Sequence, residues 1–530
     1  MITSSVLGQG FKMTQVSMPG AQTGTTSPFG VNTSEAVVGN YGDGEGDTWG
    51  FSFIKGKYAT IAPPSAYTFA RANGINDSNT IVGDFLTDGG RYHGFVYSGG
   101  TYTTYDETTT ESCGIFGINS AGAFVGDVGN QGEPIRGFIN IGGKKTEFYG
   151  SGTDSTYVYA INSANEVVGV YFDSSNVPHG FYRSASGTIT GIAYPGALQT
   201  TAYGINDAGE ITGTYINASN LPYGFTYIKG KYATTDFAGT AGINSKGAYV
   251  GYYWGVPDGT ASGYLASPQA FKLSTVKVPG NQQAQLWGVN NSGVSVGSYI
   301  AANGKQHGMM ISGGTVKNIN NPKGTTTTCF GVNTSGDVVG LYTDTSGNPH
   351  GFEYTSGKFK DIKGPAGSLA SAAFGINDAG DVAGLYVDGN GNAHGFVLSA
   401  GKYKTLNVPG AQYTLARGIN SAGLVTVQWG DSGGYLQSSL YNGKKFTSIN
   451  VPGAALNQVQ GINTAGDIVY YISDPYGVGH GAVKIGKDYY VFDYPKGSNT
   501  GAGGINDSNL IVGAYNPSGK TTPEAFQGTE

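Results

Sequence analysis

The chain has 530 residues, a net charge of −6, only 12% charged residues, and 38% hydrophobic residues that include 37 Tyr and 24 Phe. That is too much apolar surface for a disordered chain, and no basic run tracks a phosphate backbone, which excludes nucleic-acid binding. No stretch reaches the ~18–20 apolar residues of a membrane-spanning helix, and the sparse charge leaves an uncharged surface of hydroxyls and amides.

In chain order, Met1 to Lys12 show no basic segment followed by an apolar core, so no secretory signal is read there. Residues from Gly10-Phe11-Lys12 to Met18-Pro19-Gly20-Ala21 read as a fourth strand and its loop. A Gly-(Ile/Val)-Asn triplet or a near copy then begins at Gly30, Gly74, Gly117, Ala160, Gly204, Gly242, Gly288, Gly331, Gly375, Gly418, Gly461 and Gly504. A period of ~40–45 residues holding four short strands is the signature of a β-propeller blade. The predicted fold class is therefore all-β, a propeller protein of twelve four-stranded repeats.

The ninth repeat shows the unit. Strand one runs into Gly375-Ile376-Asn377, strand two covers Val382–Tyr386, strand three carries His394-Gly395-Phe396, and strand four runs from Lys402 to about Asn407. Asn-Asp-x-Gly and Ser-x-Gly-Lys turns join strands one to two and three to four. Nine residues after the triplet begins, most repeats carry another Gly, such as Gly39, Gly83 and Gly340, expected to meet a neighbouring blade near the axis. Val427 and Tyr470 take that place in the tenth and eleventh repeats, whose blades should pack differently.

The sixth and twelfth repeats are degenerate at strand three, where Ser262-Gly263-Tyr264 and Pro523-Glu524-Ala525-Phe526 replace His-Gly-Phe. Gln269-Ala270-Phe271-Lys272 then echoes Gln9-Gly10-Phe11-Lys12. Both halves thus start on a fourth strand and end on a third, which favours two six-bladed propellers, residues 1–266 and 267–530, over one twelve-bladed ring. Cys113 and Cys329 fall in different blades without metal-ligand spacing, and read as small core residues.

The six histidines, His93, His179, His307, His350, His394 and His480, all precede Gly in strand three, where other repeats carry Trp49, Arg136 or Tyr223. That tolerance points to packing or an inter-blade hydrogen bond rather than catalysis. Asp344-Thr345-Ser346-Gly347-Asn348 and Asp388-Gly389-Asn390-Gly391-Asn392 read as Asx-stabilised turns, with Ca²⁺ as the alternative occupant. The densest acidic loop, Asp43-Gly44-Glu45-Gly46-Asp47, is the candidate metal site, again for Ca²⁺. Trp49 beside it and Trp254 in the equivalent loop of the sixth repeat would converge if the first half closes, giving Trp49, Trp254, Glu45 and Arg136 as candidate ligand-binding residues. No nucleophile elbow, Walker loop, zincin helix or dinucleotide fingerprint is present, and Asp43, Glu45, Asp47 and Glu133 are the acids left for catalysis.

The Gly-Ile-Asn, Val-Gly-x-Tyr, His-Gly-Phe and Pro-Gly-Ala elements together resemble the HAF-type extracellular repeat family of bacteria, over essentially the whole chain. The resemblance implies a secreted or cell-surface location and brings no catalytic residues. The leading expectation is a non-catalytic extracellular propeller binding a polysaccharide or surface glycan through its loop face. The alternatives are a structural envelope or matrix protein self-associating through its terminal strands, and a polysaccharide-active hydrolase or lyase.

Overall fold

A computed structural model describes residues 6–106, 110–130, 132–150, 155–235, 239–252, 263–474 and 477–530. Among these every regular element is a β-strand, and no helix is long and apolar enough to cross a membrane. The chain is a β-propeller protein built from four-stranded antiparallel sheets.

The ninth repeat again gives the unit: Ala370–Ile376, Val382–Val387, Ala393–Ser399 and Lys402–Leu406 pair in sequence, with Ile376 opposite Val382, Tyr386 opposite His394 and Ser399 opposite Lys402. Burial grades outward, from a mostly buried inner strand to an outer strand that exposes Lys402, Lys404 and Thr405. The first turn forms because the Asn377 side-chain oxygen accepts the backbone N–H groups of Ala379 at 3.1 Å and Asp381 at 2.9 Å, while Gly380 supplies the left-handed residue at φ 80°.

The chain divides into two compact units, one over Met13–Pro268, the other over Met1–Lys12 with Gln269–Glu530. The sequence reading placed the boundary at 266/267 and left the first twelve residues with the first half. They join the second because Gly10 lies against the Phe271 ring with no room for a side chain, and Lys12 pairs with Asp488 at 2.9 Å. The boundary falls inside two strands, Val6–Val16 and Gly263–Val276, each giving a segment to both units.

Within the first unit the triplet glycines lie against the next repeat's triplet segment: Gly30 against Gly74, Gly74 against Gly117, Gly117 against Ala160, and Gly242 back against Phe29 and Gly30. The second unit closes in the same way, with Gly504 against Gly288. Its last sheet, Gly497–Ile505, Ile511–Pro517 and Glu524–Thr529, gains Lys272–Val276 as fourth strand, paired from Lys272 opposite Thr529 to Val276 opposite Ala525. In the first unit Gly263 of the sixth repeat's third strand packs on the Val16 carbonyl. Both terminal strands therefore have partners within the chain.

The glycine nine residues into each repeat has a different reason from the one expected. A Cβ on Gly83 would lie 1.9 Å from the Arg71 carbonyl and 2.6 Å from the Phe95 ring, both in its own blade. Its role is to let the strand-three Phe lie across strand two; the inter-blade contact belongs to the triplet glycine. Where strand three carries a small residue, the order reverses: buried Val427 stands opposite Ser439 and buried Tyr470 opposite Ala482. The bulk has crossed from one strand to its neighbour. Cys113 and Cys329 are both buried core residues.

Candidate functional site

The acidic loop does not fit a cation. Asp43 Oδ1 accepts the N–H groups of Glu45 at 2.9 Å and Asp47 at 3.2 Å, and its Oδ2 accepts the Trp49 indole N–H at 2.8 Å. The Trp49 hydrogen bond, then the loop amides, hold the Asp43 carboxyl below its usual range. Among the described residues no three His, Cys, Asp or Glu side chains converge as metal ligands. Glu45 is exposed on the loop tip. Trp49 is half-buried and packs against the cores on both sides of its blade. Trp254 lies outside the described residues. Arg136 is engaged by Glu111 at 2.6 Å and Glu147 at 2.7 Å, contacts that hold its pKa above the ordinary value, the Glu111 bond first. Glu133 sits in the same blade's loop, its backbone N–H on the Asn130 carbonyl.

Trp49 and the histidines share one task. His179, His350 and His394 direct Nε2 to the aspartate heading the preceding loop, Asp173, Asp344 and Asp388, at 2.9, 2.9 and 3.1 Å. His394 Nδ1 reaches Asn407 in the next loop at 2.9 Å, and its ring stacks 5.1 Å from Tyr386. The same aspartates cap their own loops: Asp388 Oδ1 accepts the N–H groups of Asn390 and Asn392, each at 2.9 Å. At His394 the strand-three side chain thus ties two loops of one blade together, where the sequence suggested packing or an inter-blade hydrogen bond.

The geometry that opens to a ligand lies at positions the repeat does not fix: one and three residues before the triplet, and ten after its start. In the second unit the first of these carries Trp287, Phe330, Phe374, Arg417, Gln460 and Gly503, which line a small axial cavity of about 80 Å³. The rings pack edge to face, Trp287 to Phe330 at 5.8 Å and Phe330 to Phe374 at 5.1 Å, and the Arg417 guanidinium lies 4.7 Å from the Phe374 ring. In the last repeat the three positions are Gly501, Gly503 and Ala514. The missing bulk opens an adjoining cavity of about 350 Å³, walled by Trp287 and Tyr471 and by the amides of Gln285, Gln458, Gln460, Asn499 and Asn516. Its lining holds no charged side chain. The buried Trp287 indole N–H has no hydrogen-bond partner among the described residues.

In the first unit three of the corresponding positions are charged, Arg71, Asp84 and Asp127. Arg71 forms a two-point pair with Asp84, Nε to Oδ1 at 3.1 Å and Nη2 to Oδ2 at 2.9 Å, and Asn73 donates to Asp84 at 2.6 Å. Burial opposes the charge on Arg71, and the Asp84 carboxylate more than restores it. Asp127, in the same repeat position as Asp84, is pushed up to about 8 by burial and then by the Asp84 charge, against the pull of Arg71.

Neither a protein-family model nor a curated protein matches this sequence. Among solved structures the chain is similar to the SapL1 lectin in complex with alpha methyl fucoside, at 10% identity over 45% of this chain and 90% of that one, with a TM-score of 0.32. It is also similar to the putative TolB from Agrobacterium tumefaciens, at 10% identity over 50% of this chain and 99% of that one, TM-score 0.34. A third is the β-propeller domain of the Trilobed protease from Pyrococcus furiosus, at 9% identity over 64% and 98%, TM-score 0.26.

Proposed function

We propose that this is a non-catalytic, extracellular or cell-surface propeller protein that binds glycan through the loop-face cavity of its second unit. The observation that carries the reading is the composition of that cavity: about 350 Å³, two aromatic faces, five side-chain amides and no charge. Sugars present apolar C–H faces and rings of hydroxyls that both donate and accept. Aromatic rings suit the faces, and amides, with two donors and an acceptor oxygen each, suit the hydroxyls. The indole N–H of Trp287 supplies one more donor, and leaving it buried without a partner costs stability that a ligand hydroxyl would recover. The resemblance to HAF-type extracellular repeats supports the location.

The test is a glycan array probed with the full chain, followed by calorimetric titration of the best hit. A saccharide bound by the natural chain, lost from Trp287→Ala and weakened in Gln458→Ala with little change in thermal unfolding, is the expected outcome. An array without hits, or a hit that Trp287→Ala binds equally well, removes the proposal.

A further inference from the structure

Resting on the glycan-binding reading, we propose that the second unit's site takes a saccharide bearing a carboxylate, a uronate, with Arg417 as its anchor. Arg417 lines the axial cavity together with Trp287, Gln460 and Gly503, three residues that also wall the wider amide cavity. The two spaces share these three walls, a funnel for a ligand that spans both. Thr426 of the Arg417 blade holds the Gln460 carbonyl at 2.7 Å and fixes the neighbouring blade beside it.

Arg71 of the first unit, three residues before its triplet where Arg417 stands one before, offers a comparison. In the first unit Asp84 neutralises Arg71 through two hydrogen bonds. The same repeat position opposite Arg417 holds Gln428, whose Oε1 accepts the Arg417 Nε–H at 3.0 Å but carries no charge. Among the described residues no carboxylate pairs with Arg417. Burial pulls its pKa down to about 10, offset only by Tyr413. A half-buried ion without a counter-ion gains when something supplies the opposite charge.

The planar guanidinium, with Nε already occupied, leaves its terminal nitrogens for a planar two-oxygen anion, which a carboxylate matches. One guanidinium balances one negative charge. The neutral amides and rings around it recognise the hydroxyls and ring of the same sugar.

The experiment compares trigalacturonate with its methyl ester, uncharged and larger by one methyl group per carboxyl, by calorimetry on the full chain. The natural protein should bind the acid form roughly tenfold tighter. Arg417→Gln and Gln428→Glu, the second of which supplies an internal counter-charge while keeping the guanidinium, should each bring the ratio close to one. Equal binding of both forms by the natural protein, or an acid preference that survives in both variants, overturns the assignment. If a neutral array hit binds but neither galacturonate form does, the uronate assignment falls and the glycan reading stands; if nothing binds, both fall.

Discussion

Asn244 donates its side-chain N–H to the backbone carbonyl of Asn32 at 2.8 Å, across 212 residues of chain. It is one link in a circuit: Asn32 reaches Asn76, Asn76 reaches Asn119, then Asn162, Asn206 and Asn244 in turn, at 3.0 to 3.2 Å. The second unit repeats it from Asn290 to Asn333, and Asn506 closes on Asn290 at 3.0 Å. Each amide oxygen caps its own turn while each amide nitrogen holds the next blade, so no other side chain of this size serves both ends.

The circuit predicts that Asn244→Ala costs about 2–4 kcal/mol, since it leaves the Lys246 and Ala248 N–H groups without their acceptor as well as breaking the closure. Asn119→Ala, at an interior link with these three bonds and a fourth to Asn165 Oδ1, should cost at least as much. Chemical denaturation of both variants checks this. A much smaller effect at Asn244 than at Asn119 would mean that the sixth repeat does not close on the first.

The crossed bulk at Val427 and Ser439 predicts strong coupling between the two. Val427→Gly alone should cost about 2–4 kcal/mol through a core cavity and the flexible glycine. Ser439→Phe alone overpacks the blade by about 1–3 kcal/mol. The double variant recreates the Gly83–Phe95 arrangement of the second repeat and should be more stable than the sum of the singles by at least about 1 kcal/mol. Additive costs would show that the exchange is incidental.

Asp127 gives the first unit a pH dependence of defined sign. Its folded pKa of about 8 lies above the 3.8 of an ordinary aspartate, so between those values the unfolded chain has lost a proton that the folded chain keeps. Stability from this group therefore falls as pH rises from about 4 to about 8 and is flat beyond. Asp127→Asn should leave unfolding unchanged near pH 4 and raise the melting temperature by a few degrees at pH 8. Calorimetric scans at the two pH values check it, and an equal shift at both would assign the effect to packing.

The blade period, the turn chemistry and the exchanged terminal strands were legible because they recur twelve times or sit where the recurrence fails. Departure from the repeat proved a poor guide inside strand three. Trp49 and Arg136 replace histidine there, yet Trp49 bonds Asp43 as His350 bonds Asp344, and Arg136 bonds Glu147 in the same blade. The same principle works in the funnel, where no repeat position is fixed and the signal is an absence: Gly501, Gly503 and Ala514 in a single repeat. That signal acquires meaning only when the blades stand side by side, because the cavity's other walls come from Trp287 and Tyr471 in the adjoining blades.

Ala514 is the position at which this cavity is most safely closed. Equivalent positions in the eighth and ninth repeats carry Leu341 and Leu385, so the blade accommodates a branched aliphatic side chain there. A glycine would be a worse target, since a Cβ on Gly503 meets the Leu286 carbonyl at 2.5 Å. Ala514→Leu should keep the melting temperature within about 2–4 °C, the shift that 1 kcal/mol produces in a domain of this size. Its side chain would project into the space bounded by Trp287, Tyr471 and Gln460, and saccharide affinity should fall at least tenfold, the equivalent of one good hydrogen bond to an occupied site. Titration of the array hit against Ala514→Leu measures this directly. Retained affinity at unchanged stability would place the ligand on another face of the propeller.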